Sequence, residues 1–240
     1  MSRRMRVKIC GVTREEDLAA ALDASADALG FIVGVSTSPR CITAHCAGRL
    51  REMVTGSVAC VLVTVPDTLH GLVEACEHVK PDAVQIHGGS WPAGVVEEAL
   101  PGLQLIRSIC LKPGEAVEDA LKLAEGYDTV HLDSYAEGKY GGTGKTQRLE
   151  TAKRVKDAVY PRRLILSGGL TPENVAHAVN TVRPYAVDVC SGVEASPGIK
   201  DHIKVEAFVN RSRVQVIDDV APPPSWHMNL HRHREVKMLG

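Results

Sequence analysis

The sequence is poor in aromatic residues, carries almost no net charge and lacks long apolar runs. Aromatic residues make up 4% of the 240 residues, and the formal net charge is −1. A charge balance near zero argues against non-specific binding to nucleic acid or anionic membranes. A membrane-spanning helix needs roughly 18 consecutive apolar residues, and no stretch approaches that length. The basic N-terminus leads directly into a short apolar segment, so a signal peptide is not expected.

The cysteines also lack any pattern typical of disulfides or metal sites. There are seven of them, an odd number, and no two are spaced as C-x-x-C. Most cysteines in such a chain act as small buried apolar residues in a reducing compartment. We therefore expect a cytoplasmic protein without a bound metal.

Short β-branched runs alternate with segments of helical periodicity along most of the chain. Eight strands are predicted: Arg6–Cys10, Ala28–Val33, Val58–Val63, Ala83–Ile86, Gln104–Ile109, Thr129–Leu132, Arg163–Leu166 and Ala186–Val189. The segments between them read as amphipathic helices, and Thr13–Glu16 reads as the capping box of the first. Eight such units in about 210 residues predict an α/β fold, a single closed (β/α)8 TIM barrel. An open doubly wound sheet is disfavoured, because no G-x-G-x-x-G turn follows the first strand.

The C-terminal segment differs in composition from the rest of the chain. We expect the barrel to occupy residues 1–213 and residues 214–240 to form a flexible tail. The tail contains Pro222–Pro224 and the histidines His227, His231 and His233. Their spacing is not that of metal ligands, so no metal site is predicted there.

Polar side chains recur at the carboxyl ends of four predicted strands. Side chains alternate along a strand, and the carboxyl end of a barrel carries the reactive groups. The residues predicted to face the barrel axis there are Lys8, Cys10, Gln85, His87, His131, Asp133, Asp188 and Cys190. A barrel without an active site would place Val, Ile or Leu at these positions.

Glycine-rich turns follow the last two predicted strands. Gly168 and Gly169 follow the seventh strand, and Ser191 and Gly192 follow the eighth. In this fold a phosphate commonly lies between these two loops, where glycine allows close approach of the backbone. A third segment, Gly141–Thr146, which includes Gly142, lacks P-loop spacing and is predicted to be a mobile active-site loop.

Several short motifs occur in an order that is specific in combination. They are Lys8–Gly11, Gly30–Phe31, Ser38–Arg40, Gln85–Gly88, Leu132–Asp133, Gly141–Gly144, Ser167–Leu170 and Val187–Glu194. This set resembles the phosphoribosylanthranilate isomerase family of tryptophan biosynthesis over about residues 5–212.

The resemblance implies an Amadori rearrangement without cofactor or metal. N-(5-phosphoribosyl)anthranilate would become 1-(2-carboxyphenylamino)-1-deoxyribulose 5-phosphate. By resemblance, Asp133 is the acid that opens the furanose ring and Cys10 is the general base. Lys8 lies on the same side of the first strand, and its charge would favour a Cys10 thiolate.

The resemblance also implies the groups that bind substrate. Arg40 would pair with the anthranilate carboxylate, Asp188 would contact substrate near the reacting centre, and Gln85 would shape the pocket with His87. The loops that contain Gly168, Gly169, Ser191 and Gly192 would hold the phosphate. Gly142 is also expected to contact the substrate. The chain departs from the family at Cys41 and at Thr146–Leu149, which bears on how the aromatic ring is held.

Three alternatives remain open at this stage. The aldose isomerase of histidine biosynthesis would have an aspartate where this chain has Cys10. A phosphosugar epimerase would need metal-binding His and Asp at several strand ends, and only His87 comes close. A non-catalytic binder of phosphoribosyl ligands would not need both Cys10 and Asp133. In each reading the partner is a small phosphorylated molecule, and the protein is a monomer or homodimer.

Overall fold

The computed structural model describes residues 2–111, 117–133, 142–213 and 216–218. The strands are β1 (Ser2–Arg4), β2 (Arg6–Cys10), β3 (Ala28–Val33), β4 (Cys41–Ile42), β5 (Ala59–Thr64), β6 (Ala83–Ile86), β7 (Gln104–Cys110), β8 (Thr129–Asp133), β9 (Arg163–Ser167), β10 (Ala186–Val189), β11 (Glu194–Ser196), β12 (Ile199–Lys200) and β13 (Val216–Asp218). The helices are α1 (Glu15–Asp23), α2 (Ala44–Met53), α3 (Leu69–Val79), α4 (Ala93–Ala99), α5 (Val117–Lys122), α6 (Gly142–Val159), α7 (Val175–Val182) and α8 (His202–Arg213). A short 3-10 helix covers Ser191–Val193.

Eight parallel strands close into a barrel, which confirms the predicted fold. Their order is β2-β10-β9-β8-β7-β6-β5-β3, and pairing of β2 with β3 completes the circle. β4 adds two residues beside β3. The predicted strands are correct to within one residue at either end. The helices that follow the fourth, sixth and seventh barrel strands are α4, α6 and α7.

Alternation of side chains along the strands produces two apolar layers. Val7 and Ile9 of β2 belong to the large core between barrel and helices, whereas Cys10 belongs to a smaller cluster inside the barrel. That inner cluster includes Ala28 and Ala59, whose small side chains leave space on the barrel axis. The space accommodates the polar groups described below.

The predicted capping box at the start of α1 is wrong. The residue before the helix is Arg14, which makes no side-chain cap, and its guanidinium instead forms a fork on Asp17. The Thr13 hydroxyl donates to the Gly198 carbonyl at 2.6 Å. The hydroxyl that the local sequence pattern assigned to the start of the helix therefore donates to a carbonyl of a loop that is distant in sequence.

Three residues of the C-terminal segment are described, and they form a strand. Val216–Asp218 pairs antiparallel with Ser2–Arg4. The three tail histidines lie outside the described residues, and a flexible tail over residues 214–240 stays a prediction. Within the ranges that the structure describes, no group of three or more His, Cys, Asp or Glu side chains is arranged to hold a metal ion. None of the helices described there is long and apolar enough to cross a membrane.

Candidate active site

A chain of hydrogen bonds crosses the barrel interior between four strands. Lys8 Nζ donates to Asp188 Oδ2 at 2.9 Å, and His131 Nε2 lies 2.9 Å from the same oxygen. The other ring nitrogen of His131 lies 2.9 Å from Ser108 Oγ. All four side chains are buried. The predicted inward orientation of Lys8, His131 and Asp188 is therefore seen directly.

The ion pair at the centre of this chain is maintained by mutual attraction. Burial alone would raise the pKa of Asp188, but Lys8 and the His131 hydrogen bond lower it to about 2. Burial likewise opposes the charged form of Lys8, and attraction to Asp188 and Cys10 raises its pKa above the usual value. Both groups are therefore charged throughout the physiological range.

Cys10 is placed at the mouth of the barrel as an acidic thiol. A hydrogen bond from Cys190 lowers its pKa, burial raises it, and the charge of Lys8 lowers it again, to a net value of about 6. Gly30 lies against it, because a Cβ built there would be 2.8 Å from the Cys10 sulfur. The effect of Lys8 that we expected is present. The larger contribution of Cys190 was missed, although both residues were assigned to the barrel side of strands that become neighbours when the barrel closes.

Asp133 ends β8 and is half-buried at the same end of the barrel. Its register partners are Cys110 and Ser167 on the neighbouring strands. Cys10 and Asp133 thus lie at the carboxyl ends of two strands that are separated by β10 and β9 around the barrel. This places a carboxyl and a thiol on different sides of one opening.

The predicted loop at Gly141–Thr146 is a helix where it is described. Helix α6 begins at Gly142, and its first two turns include Thr146. Gly141 lies outside the described residues. The glycine-rich composition suggested a loop. The segment directly precedes a long stretch of helical periodicity that continues to Val159, and the helix extends back from that stretch to Gly142.

Arg40 is already engaged by a carboxylate of the chain itself. Its Nε and Nη2 donate to Glu194 Oε1 and Oε2 at 2.7 and 2.6 Å. Lys200 Nζ donates to Glu194 Oε1 at 3.1 Å and to the Cys190 carbonyl at 3.1 Å. The fork on Glu194 raises the pKa of Arg40. Sequence reasoning expected the Arg40 fork for substrate and missed Glu194, because the two residues are 154 positions apart.

The two glycine-rich loops predicted to hold phosphate are in direct contact. Gly168 and Gly169 have φ of +89° and +65°, a region that favours glycine. A Cβ built on Gly192 would lie 1.9 Å from the Leu170 carbonyl oxygen. Only glycine at position 192 therefore permits the loops after β9 and β10 to meet.

Gln85 and His87 are paired beside the buried ion pair. Gln85 Nε2 lies 2.8 Å from His87 Nε2, and the His87 and His131 rings are 5.7 Å apart between centroids. Burial, together with the nearby His131 ring and the charge of Lys8, lowers the pKa of His87 to about 3. His87 is therefore neutral, so its Nε2 accepts the hydrogen bond from the Gln85 amide.

The chain folds as a closed β/α barrel with reactive groups at its carboxyl end. Its glycine-rich loops meet after the last two strands, and this combination is typical of phosphate-binding barrel enzymes. The comparisons with known proteins specify the family. Residues 7–211 match the family model described as N-(5′-phosphoribosyl)anthranilate (PRA) isomerase. The chain belongs to the N-(5′-phosphoribosyl)anthranilate isomerase family.

Related sequences and solved structures match this chain over nearly the whole of their own length. The N-(5′-phosphoribosyl)anthranilate isomerase of Methanocella arvoryzae is 40% identical over 211 residues, covering 87% of this chain and 98% of the relative. The crystal structure of the Thermotoga maritima phosphoribosyl anthranilate isomerase is 35% identical with a TM-score of 0.76, covering 88% of this chain and all of that one. Another structure, of the isomerase in complex with reduced 1-(o-carboxyphenylamino)-1-deoxyribulose 5-phosphate, is 32% identical with a TM-score of 0.74, over 88% and 100% of the two chains.

Family membership confirms the resemblance inferred from the motifs. It also confirms the predicted enzyme class, an isomerase of tryptophan biosynthesis that acts on phosphoribosylanthranilate. The alternatives from histidine biosynthesis and phosphosugar epimerisation are thereby set aside. Which residues of this chain carry out the reaction is a separate question.

Proposed function

We propose that Cys10 is the general base and Asp133 the general acid of the Amadori rearrangement in this chain. The observation that carries the proposal is the environment of Cys10, a buried thiol at the barrel mouth whose pKa is lowered to about 6. A base is most effective when its pKa lies near the working pH. Cys60 and Cys76 provide the contrast, since burial raises the pKa of each to about 12.

The reaction divides between the two groups. Asp133 donates a proton to the ribose ring oxygen, the C1–O bond breaks, and the anthranilate nitrogen forms a protonated Schiff base with C1. The Cys10 thiolate then removes the proton from C2, and the electron pair of that C–H bond forms the enolamine. Loss of the O2 proton and gain of a proton at C1 give the aminoketose.

The remaining residues are proposed to hold the substrate. Asp188 uses Oδ2 for Lys8 and His131, whereas its buried Oδ1 has no hydrogen-bond partner among the described residues. The buried Oε1 of Gln85 also lacks one within the same ranges. Both oxygens are available as acceptors for ribose hydroxyl groups. The loops containing Gly168, Gly169, Ser191 and Gly192 would bind the phosphate through backbone amides, with the start of α6 at Gly142 beside the mouth.

The roles of Cys10 and Asp133 can be separated with substrate deuterated at C2 of the ribose. If Cys10 removes that proton, the wild-type enzyme should show a primary isotope effect on kcat and release the label to solvent. Cys10→Ser should release almost none while still opening the ring, whereas Asp133→Asn should accumulate neither open-chain Schiff base nor product. Rapid label release by a folded Cys10→Ser protein would refute the assignment.

Substitution of Gly192 tests the proposed phosphate loops. Gly192→Ala cannot be accommodated without moving Leu170, so the two loops should separate and KM should rise about tenfold or more, at an overpacking cost of about 1–3 kcal/mol. The matched control is Gly94→Ala on helix α4, where a Cβ meets nothing within 4 Å. Steady-state kinetics of the two variants decide the matter, and equal KM values would contradict a phosphate site at these loops.

Substitution of Arg40 tests whether this residue binds the anthranilate carboxylate of the substrate. We propose that Arg40, which already pairs with Glu194, also binds the anthranilate carboxylate, so Arg40→Ala should lose about 2–4 kcal/mol in binding of a product analogue. Binding of inorganic phosphate should change less, since Arg40 reaches the glycine-rich loop after β10 indirectly, through Glu194. Arg49→Ala, which removes an exposed arginine that pairs with Glu15, is the control.

Calorimetric titration of both ligands distinguishes the readings of Arg40. If phosphate affinity falls as far as analogue affinity, Arg40 acts through Glu194 on the loop after β10, and the carboxylate role is wrong.

The cellular context is proposed from the same features. We infer that the protein acts in the cytoplasm as a monomer or homodimer, on a small phosphoribosyl substrate and without nucleic acid. The near-neutral charge supports this, and a related phosphoribosylanthranilate isomerase from Thermotoga maritima is described as dimeric. The barrel is proposed to end at residue 213, with residues 214–240 as an appended tail.

A further inference from the structure

Two cysteines meet side by side at the mouth of the barrel. Strands β2 and β10 are parallel neighbours, and their register pairs Ile9 with Val189. The next residues are Cys10, the last of β2, and Cys190, which directly follows β10 and packs against the inner cluster that contains Cys10. Adjacent strands lie about 4.8 Å apart, so the two sulfur atoms are neighbours.

Glycines on both sides give the sulfur atoms room. A Cβ built on Gly30 would lie 2.8 Å from the Cys10 sulfur, and one built on Gly11 would lie 2.9 Å from the Cys190 sulfur. Only glycine at these two positions leaves space for the sulfur atoms, so the two thiols lie beside each other in a narrow space.

Positive charge lies close to both thiols, so the neighbouring charges alone do not decide which of them ionises. Lys8 and Asp188 face Cys10 from β2 and β10, and Lys200 of β12 also acts on it. Lys200 Nζ lies 3.9 Å from the Cys190 sulfur, with Arg40 and Glu194 beyond it. Within this set, the shared hydrogen bond lowers the pKa of Cys10 and raises that of Cys190. Cys190 is therefore the protonated thiol of the pair, and Cys10 is the thiolate.

We propose that Cys190 is a positioning residue, whose S–H group donates a hydrogen bond to the Cys10 sulfur and holds Cys10 as the thiolate that removes the C2 proton. The inference rests on the proposed role of Cys10 as base. Cys190 does not itself exchange a proton with substrate; it acts through Cys10.

The direct test is a pH titration of thiolate absorbance in the full chain, with Cys10→Ser as the blank. Wild-type Cys10 should titrate near pH 6. Cys190→Ala, which removes the donor, should raise that midpoint by about one unit, the size expected for a hydrogen bond to a charged group. Cys190→Ser, whose hydroxyl can donate, should stay near the wild-type midpoint, and melting temperatures show whether each variant is folded.

The acid limb of kcat/KM should move with the thiolate. Near pH 6, Cys190→Ala should be about fivefold slower than wild type, and the difference should vanish at alkaline pH, where both are fully ionised. A residue needed only for packing would lower kcat/KM equally at all pH values.

Three results would overturn the inference. One is a Cys190→Ala midpoint equal to that of wild type. Another is a Cys190→Ser protein that shifts as far as Cys190→Ala. The third is alkylation near pH 6, resolved by peptide, that modifies Cys190 faster than Cys10. If instead the midpoint shifts as expected but kcat/KM does not follow it, the hydrogen bond is supported and the assignment of Cys10 as base is refuted.

Discussion

Replacing Cys10 by serine is expected to lower kcat by at least about a hundredfold, the usual scale for loss of a general base. A serine hydroxyl is almost never ionised near neutral pH, so it cannot replace a thiol whose pKa is about 6. The fold should survive, because serine is slightly smaller than cysteine and fits the space that the sulfur occupies beside Gly30. Steady-state turnover and a thermal melt of the same preparation measure both quantities.

The matched control for that substitution is Cys76→Ser. Cys76 lies on helix α3 in the outer core, and burial raises the pKa of its thiol to about 12. Its replacement can cost some stability but should leave kcat unchanged. If Cys10→Ser retains near-normal kcat, or if Cys76→Ser loses as much, the distinction between an acidic and an inert cysteine fails.

Replacing Lys8 by methionine is expected to destabilise the protein by about 3–5 kcal/mol, because it leaves the buried Asp188 carboxylate without its main counter-charge. Lys8 and Asp188 are both buried, and they are joined at 2.9 Å. Chemical denaturation of wild type and variant gives the difference in the free energy of unfolding.

The double variant Lys8→Met/Asp188→Leu is the control for that experiment. Removing both charges should restore much of the lost stability, since two apolar side chains can replace a buried ion pair at little net cost. Recovery by the double variant identifies the uncompensated charge as the cause. If the single variant is as stable as wild type, the ion pair contributes nothing and our account of the barrel interior is wrong.

Acid should weaken the wild-type protein through the same carboxylate. The folded-state pKa of Asp188 is about 2, below its ordinary value of 3.8. Its contribution to stability is therefore complete above about pH 4 and is lost as the pH falls toward 2. The double variant should lack this part of the acid dependence.

The sequence predicts the barrel and its inward-facing residues because both depend on short-range periodicity. Alternation along β2 separates Lys8 and Cys10 from Val7 and Ile9 without knowledge of any other strand. Closure of the barrel then brings the first and last strands together, so that Lys8 meets Asp188 across 180 positions.

Contacts made by loops could not be predicted in that way. The Glu194 carboxylate accepts hydrogen bonds from the Arg40 guanidinium, and the Gly198 carbonyl accepts one from the Thr13 hydroxyl. Both contacts form because the segment after β10 folds back beside the loops at the carboxyl end of the barrel. No period links these residues, and each pairing depends on the path of the backbone. The proximity of Cys190 to Cys10 follows from strand register, which periodicity alone does not fix.

The most direct measurement of the central claim is turnover of phosphoribosylanthranilate by the purified chain. The substrate is labile, so it is generated in situ, and its disappearance is followed by fluorescence. We predict rapid conversion by wild type to 1-(2-carboxyphenylamino)-1-deoxyribulose 5-phosphate, identified by mass spectrometry, and conversion at least about a hundredfold slower by Cys10→Ser and by Asp133→Asn. Decay of the substrate by the folded wild-type protein at the uncatalysed rate would contradict the account.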